Sequence, residues 1–520
     1  MNAPSPDTDS SQRDRRVFAI LLALYVLVLF PILRANRYYN DDLKRALIGR
    51  AGWDSNGRPL TTLLMKLLQC YDRALVDISP LTQIGAIAIL AWVGVLVARR
   101  HAIRSRWMAA LAAFPLGAQP FFLENLSYKF DALSMSLALL LALLPALVLG
   151  NDRRGWWLGV LALFASLNFY QSAINACLVF ILLDVVMAQL DDKPPREIAR
   201  RFIWRVLQVG VAMLLYQLVV GLHISGWVKQ NSATINPLSE LSVIGSNVAA
   251  FAQFIGGSFN QQWWRYFGPL LVLLGLVPVA VGLRYVARHR DALPAWGSAL
   301  LAAGSVLLPL AALAGVLGPM LVLANPPLVP RVLVGVGALL AAALIVLQAA
   351  LPQWRRSERW SLAAGGMLAL GMCTIASAYG NALGEQQAYE DRIAARLADD
   401  LAEANAHEPI EAVLLDGTAG HSPLTAHVAE QFPLMNALVL PYLDGSNTFL
   451  TPGFLRYYMP DVVARLNSEA VIARKVALLD AACRTPPLRT TAAYSLHVIE
   501  RVAVVRLGAA AQRCGAAAGD

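Results

Sequence analysis

Long apolar runs separated by short basic clusters constrain this chain more than any other feature. A helix needs about 20 apolar residues to cross a bilayer, within a range of roughly 17–25. On that criterion the sequence predicts spans near 17–34, 80–98, 107–123, 132–150, 156–170, 173–190, 204–222, 269–284, 295–316, 332–351 and 361–378. The expected fold class is therefore a polytopic α-helical membrane protein with about eleven transmembrane helices. The stretch from Trp156 to Leu190 reads either as two short spans or as one span with a re-entrant piece. Asn168, Tyr170, Gln171, Ser172 and Asn175 at its centre favour two spans with a turn between them. Composition agrees: 57% of residues are hydrophobic and 15% charged, against roughly 45–50% and about 25% in soluble domains.

The charges orient these spans. Arg13, Arg15 and Arg16 precede the first. Arg99, Arg100, Arg104 and Arg106 follow the second, and Arg153 and Arg154 the fourth. Lys193, Arg196, Arg200, Arg201 and Arg205 follow the sixth, Arg284, Arg288 and Arg290 the eighth, and Arg355, Arg356 and Arg359 the tenth. With a cytoplasmic N-terminus all these clusters fall on the cytoplasmic side, and removing one span would misplace the later ones. The net charge of +9 thus reflects membrane orientation and does not imply nucleic acid. The first run lacks a small-residue cleavage site and reads as a retained helix. The expected place is the bacterial inner membrane.

This topology divides the chain into a cytoplasmic tail (1–16), a transmembrane domain (17–378) with large outer loops at 34–79 and 223–268, a periplasmic α/β domain (379–507) and a tail (508–520). In the first loop, Leu60–Leu75 has apolar residues at helical spacing with Lys66 and Arg73 among them, as in an interfacial helix. The second loop ends in Gln261-Gln262-Trp263-Trp264-Arg265-Tyr266, suited to an interfacial belt. In the C-terminal region, Glu385–Ala406 reads as a charged helix, and 412–415 and 437–440 as short buried strands. Tyr494–Ile499 and Val502–Leu507 read as two strands joined by a turn at Glu500-Arg501. The ends, 1–12 and 508–520, are expected to be disordered. Of five cysteines, Cys177 and Cys373 read as packing residues and Cys70 lies in the first outer loop. A Cys483–Cys514 disulfide is permitted by the compartment.

Ionisable groups at membrane depth are costly and so become functional candidates. Asp41 and Asp42 lie just outside the first span. Neighbours on a helix point about 100° apart, so one carboxylate could take a proton while the other orients a substrate. The alternative is an N-cap for the helix starting at Leu43. Glu124-Asn125-Leu126-Ser127-Tyr128-Lys129-Phe130-Asp131 concentrates charge in one tight outer turn, either for function or as a neutralised, hydrated turn. Asn168-Phe169-Tyr170-Gln171-Ser172, with Asn175, suits sugar hydroxyls or hydrogen bonding between helices. Arg331, after Asn325-Pro326-Pro327-Leu328-Val329-Pro330, is an outer-turn cation fit to bind phosphate or to snorkel. His223 and Arg265 are weaker candidates of that kind. No P-loop, dinucleotide fingerprint, His-Glu-x-x-His or Cys-x-x-Cys is present, so no cofactor and no metal are assigned.

These residues carry a resemblance. An acidic pair in the first outer loop of a many-spanning chain resembles the GT-C glycosyltransferase fold. Asn40-Asp41-Asp42, Trp53, Gly57-Arg58-Pro59-Leu60, the Glu124–Asp131 turn and Asn168-Phe169-Tyr170-Gln171 resemble the bacterial Gtr type II (GtrII-like) O-antigen glucosyltransferases. The resemblance implies an undecaprenyl-phosphate-sugar donor, with glucose as the sugar, and a periplasmic glycan acceptor such as lipopolysaccharide O-antigen. On this reading Asp41 is the general base with Asp42 in support. Lys129, Arg331 and Arg58 bind the donor phosphate, and Glu124, Asp131, Tyr170, Gln171 and Trp53 bind sugar or acceptor. A single displacement inverts the anomeric configuration. The rival readings are a lipid-linked sugar flippase, for which no internal repeat speaks, and an O-antigen polymerase or ligase.

Overall fold

A computed structural model describes all residues except 1–5, 71–72, 151, 232, 236–239, 464 and 513–520. The chain is mostly helical and divides into two compact units, residues 1–31 with 51–377 and residues 32–50 with 378–520.

Among the described residues of the chain, eight helices are long and apolar enough to cross a membrane: Ser10–Ala35, Leu81–Arg100, Gln171–Leu190, Pro195–His223, Gln261–His289, Ala295–Val322, Val334–Gln353 and Arg359–His407. Each coincides with an expected span. The other three expected stretches are shorter. Ala132–Leu147 and Arg153–Phe169 are helices of 16 and 17 residues. The 107–123 stretch is broken into Arg106–Ala113, Pro115–Ala118 and a turn starting at Pro120. Pro115 and Pro120 lack the amide hydrogen that a continuing helix needs, and the Gln119 side chain accepts the Phe121 amide instead (2.9 Å). Large apolar side chains such as Leu300, Leu310 and Leu370 point outward from these helices, as a lipid-facing surface requires and water would not tolerate. Arg99, at the end of its helix, binds the buried Asp14 at 2.6 Å.

Several expectations are corrected. The first helix begins at Pro6, so 6–12 is ordered helix; residues 1–5 lie outside the description. The amphipathic helix of the first loop is Pro59–Gln69 and stops at Cys70, whose backbone is left-handed. It buries Thr61, Thr62 and Met65 and exposes Leu63 and Leu67. The 223–268 loop contains an apolar helix, Leu241–Gly257. The Trp263-Trp264 segment is the first turn of the Gln261–His289 helix, capped by Asn260, which accepts the Trp263 amide at 2.8 Å. The expected span at 361–378 and the charged helix at 385–406 are one helix of 49 residues, Arg359–His407.

The smaller unit holds a four-stranded sheet in the order β1-β4-β3-β2, with β1 Ala412–Gly417, β2 Arg489–Thr490, β3 Tyr494–Ile499 and β4 Val502–Leu507. β1 runs parallel to β4, and the other pairs are antiparallel. Glu500 and Arg501 both have positive φ (50° and 64°), the geometry of the two-residue hairpin turn. Alternate residues face opposite sides of a strand. Val413, Leu415, Ala503, Val505 and Leu507 therefore pack with Leu397 and Leu401 of the long helix. Leu414, Val502 and Val504 pack on the other face against Val471, Leu478 and Ala482. The expected strand at 437–440 is wrong: Met435–Leu438 is a single helical turn after Pro433, with Met435 and Leu438 buried. Residues 509–512 form a helical turn, which corrects the expected tail; residues 513–520 lie outside the description. So does Cys514, and with it the Cys483–Cys514 pair.

Candidate active site

In the larger unit the Glu124–Asp131 turn is almost wholly buried. Glu124, Asn125, Ser127, Lys129 and Asp131 are each at most 5% exposed. Buried charge must be paired and hydrogen-bonded to persist, and each charge here is. Glu124 grips Arg331 across 207 residues of sequence. Its Oε2 accepts the Arg331 backbone amide (2.7 Å), and its Oε1 accepts Nη1 (2.5 Å). Arg331 Nη1 also donates to the Tyr128 hydroxyl at 2.7 Å. Burial weighs against the charged guanidinium, but Tyr128, Glu124 and Tyr170 outweigh it and hold the Arg331 pKa well above its ordinary value. The Arg331 carbonyl accepts the Tyr170 hydroxyl at 2.9 Å. Lys129 reaches Asp77 of the first loop at 3.3 Å.

Asp131 is the second anchor. Its Oδ1 accepts the Trp53 indole N–H at 2.7 Å and lies 3.8 Å from an Arg58 guanidinium nitrogen. Arg58 donates Nε to Gln171 Oε1 (3.1 Å) and stacks over the Tyr170 ring, 4.6 Å from its centroid. Gln171 donates to the Asn56 carbonyl (3.1 Å) and to the Tyr216 hydroxyl (2.9 Å). Gly57 has φ of +73°, and a Cβ there would collide with the Tyr216 hydroxyl. Only glycine fits both demands. Pro59 opens the next helix at a position where no amide hydrogen is needed. The Gly57-Arg58-Pro59 motif thus presents the Arg58 side chain between Asp131, Gln171 and Tyr170.

The sequence singled out Trp53, Arg58, Glu124, Lys129, Asp131, Tyr170, Gln171 and Arg331 separately, and the larger unit holds them all at one polar turn cluster. It missed Tyr216 and Asp77, which lie in a helix and a loop without any motif. Asn175, left open between sugar and structure, donates toward the Leu317 and Val332 carbonyls (both 3.4 Å). One helical turn beyond Asn175, Val179 lines an apolar cavity of about 340 Å³ with Leu183, Leu271, Leu274, Val316 and Val336. His223 and Arg265 are not among the residues of this cluster; His223 bonds to the Val219 carbonyl, one helical turn back. Among the described residues no three His, Cys, Asp or Glu side chains are placed to hold a metal ion.

The smaller unit carries Asp41 and Asp42. Asp41 occupies the N-cap position of the Asp42–Ile48 helix but makes no side-chain cap bond. Its Oδ2 accepts Arg45 one turn on, at 2.6 Å, and its side chain is 32% exposed. Asp42 is fully buried. The two carboxylates diverge, as adjacent helical positions must.

The model of the family described as glucosyl transferase GtrII matches residues 30–342. The chain belongs to this family. The match covers both aspartates, the Glu124–Asp131 turn and Arg331, so the chain is a glycosyltransferase of the hexosyl-transferring kind. A protein of Salmonella phage P22, described as an uncharacterized 55.3 kDa protein in the gtrB 5′ region, is 25% identical over 435 residues. That alignment covers 82% of this chain and 87% of the phage protein. No solved structure matches.

Proposed function

We propose that this membrane protein transfers glucose from undecaprenyl-phosphate-glucose to a hydroxyl of a periplasmic glycan, lipopolysaccharide O-antigen being the acceptor class that the family suggests. One observation carries the reading: the larger unit holds both a cluster of fixed guanidinium groups and an apolar cavity. That combination suits a donor with an anionic head and an isoprenoid tail. Arg58 and Arg331, 22% and 28% exposed, are better placed to meet a phosphate than Lys129, at 5%.

The chemistry is a single displacement. The acceptor oxygen bonds to the anomeric carbon as the bond from that carbon to the phosphate oxygen breaks, which inverts the configuration. The acceptor proton passes to Asp41, the exposed carboxylate, while buried Asp42 supports the loop. The electron pair leaves with the lipid phosphate, whose growing charge is stabilised by Arg58 and Arg331. Trp53 and Gln171 hold Arg58 in place directly or through Asp131, and Glu124 does the same for Arg331. No metal is invoked.

The basic clusters support eleven crossings with the N-terminus cytoplasmic, and hence a periplasmic first loop and C-terminal region in the inner membrane. Cys70 is an exposed free thiol in that loop. A membrane-impermeant maleimide added to intact spheroplasts labels Cys70 and not a Cys70→Ser variant; labelling only after lysis overturns the topology. For the reaction, the purified chain in lipid nanodiscs is given labelled polyprenyl-phosphate glucose, UDP-glucose or a polyprenyl-diphosphate oligosaccharide with O-antigen. Transfer from the first alone is expected. Transfer from either other donor, or lipid movement across vesicles without transfer, refutes the proposal.

A further inference from the structure

Within the smaller unit, one carboxylate from far along the chain holds the segment that bears Asp41. Glu390 lies on the long helix and is fully buried. Its Oε2 accepts Arg37 at 2.7 Å, and the two side chains are 0% and 2% exposed. Its Oε1 accepts the backbone amides of Tyr442 and Leu443. Arg37 also donates to the Leu440 carbonyl at 2.7 Å and lies 4.0 Å from the centre of the Tyr442 ring. The Tyr442 hydroxyl then completes the link: it accepts the Asn40 amide (2.8 Å) and donates to the Tyr38 carbonyl (2.8 Å). Asn40 is the residue before Asp41, and its φ of 51° is left-handed. Leu43, the second residue of the Asp42–Ile48 helix, packs with Phe454 and Leu455. Burial opposes the charge on Arg37, but Glu390 and Tyr442 more than offset it and raise its pKa.

We propose that Glu390 and Tyr442 are positioning residues for the catalytic loop, fixing the backbone on which Asp41 stands. Both lie beyond residue 342, where the family match ends. The C-terminal region is then part of the machinery that aims the base, in addition to any role it has in choosing the acceptor. The physical argument is one of alternatives. A buried ion pair is a weak source of net stability compared with apolar packing, yet here it fixes three chain segments at one point. A loop with two left-handed residues, Asn36 and Asn40, needs such outside bonds to keep a single geometry. Small displacements of a reacting group are expensive in rate.

The inference rests on Asp41 as base, and the test separates the two. Tyr442→Phe keeps the ring under Arg37 and deletes only the hydroxyl that holds Asn40 and Tyr38. Tyr494→Phe is the matched control. It removes a buried hydroxyl whose partner is Asp400 of the long helix in the same unit. In the nanodisc assay Tyr442→Phe lowers kcat about 10- to 100-fold with donor KM within about twofold, and Tyr494→Phe leaves both unchanged. Glu390→Ala reproduces the kcat loss, and Glu390→Gln, which can still accept the two amides, recovers part of it. Equal losses in both tyrosine variants, or full kcat in Tyr442→Phe, overturn the positioning role. Full activity in Asp41→Asn overturns the base assignment instead.

Discussion

The acids of the larger unit and the exposed acid of the smaller one sit in opposite circumstances. Glu124 and Asp131 are at most 5% exposed in their side chains and fully engaged by Arg331, Trp53 and Arg58. Asp41 keeps 32% of its side chain exposed beside one arginine. A carboxylate enclosed by donors holds cations in place and has no room to receive a substrate proton. One that faces solvent can do so. The contrast supports the proposed division, positioning for the first pair and proton transfer for the third.

The largest effect that would break this comparison is on turnover. Asp41→Asn is expected to lower kcat by about 10²–10⁴-fold while the protein remains folded in detergent. Retained activity there, with loss in Asp131→Asn, would reverse the roles. Next in size, Arg331→Ala strands Glu124 without its cation, and chemical unfolding should show a loss of about 3–5 kcal/mol. Replacing both as Glu124→Leu with Arg331→Met sharpens the point: stability returns toward wild type and transfer does not. Trp53→Phe keeps the aromatic bulk and removes one charge-assisted bond to Asp131, so a loss of about 1.5–3 kcal/mol is expected in the same measurement.

The smallest effect concerns pH in the smaller unit. His421 donates to the Val439 carbonyl and His497 to that of Thr485. Burial lowers the pKa of both. Their neutral forms are favoured in the fold, so the unfolded chain binds protons more tightly. This contribution is complete above about pH 6.5 and declines as pH falls through that value toward the lower folded pKa values. Hydrogen exchange of β3 and β4 amides in the full chain should therefore quicken between pH 7.5 and 5.5, after correction for intrinsic rates.

Much of this was legible in the sequence. Hydropathy located the eight long helices, and two six-residue runs rich in apolar side chains, separated by two residues, located the β3–β4 hairpin with its bounds. The short run at 437–440 failed because apolar runs of that length do not distinguish strand from helical turn. The sequence of the 49-residue helix suggests two elements because its side chains change from apolar to charged near Glu385. Helix hydrogen bonds are internal to the segment, so that change marks no end. Pairings such as Glu124 with Arg331 join positions 207 residues apart, and no local pattern encodes them. Glu390 did leave a trace. It shares a helical stripe with Gln386, Ala394, Leu397 and Leu401, all buried. An acid on a buried, mainly apolar stripe is the signal of a buried, partnered charge.

Asn36 and Asn40 both hold positive φ, at 49° and 51°. Side chains branched at Cβ are sterically excluded from that backbone region, whereas glycine enters it freely and aspartate or asparagine tolerably. A saturation library scored for O-antigen modification should therefore show a narrow substitution spectrum at these two sites. Glycine and aspartate survive, and valine, isoleucine and threonine disappear, although neither position is assigned any contact with substrate.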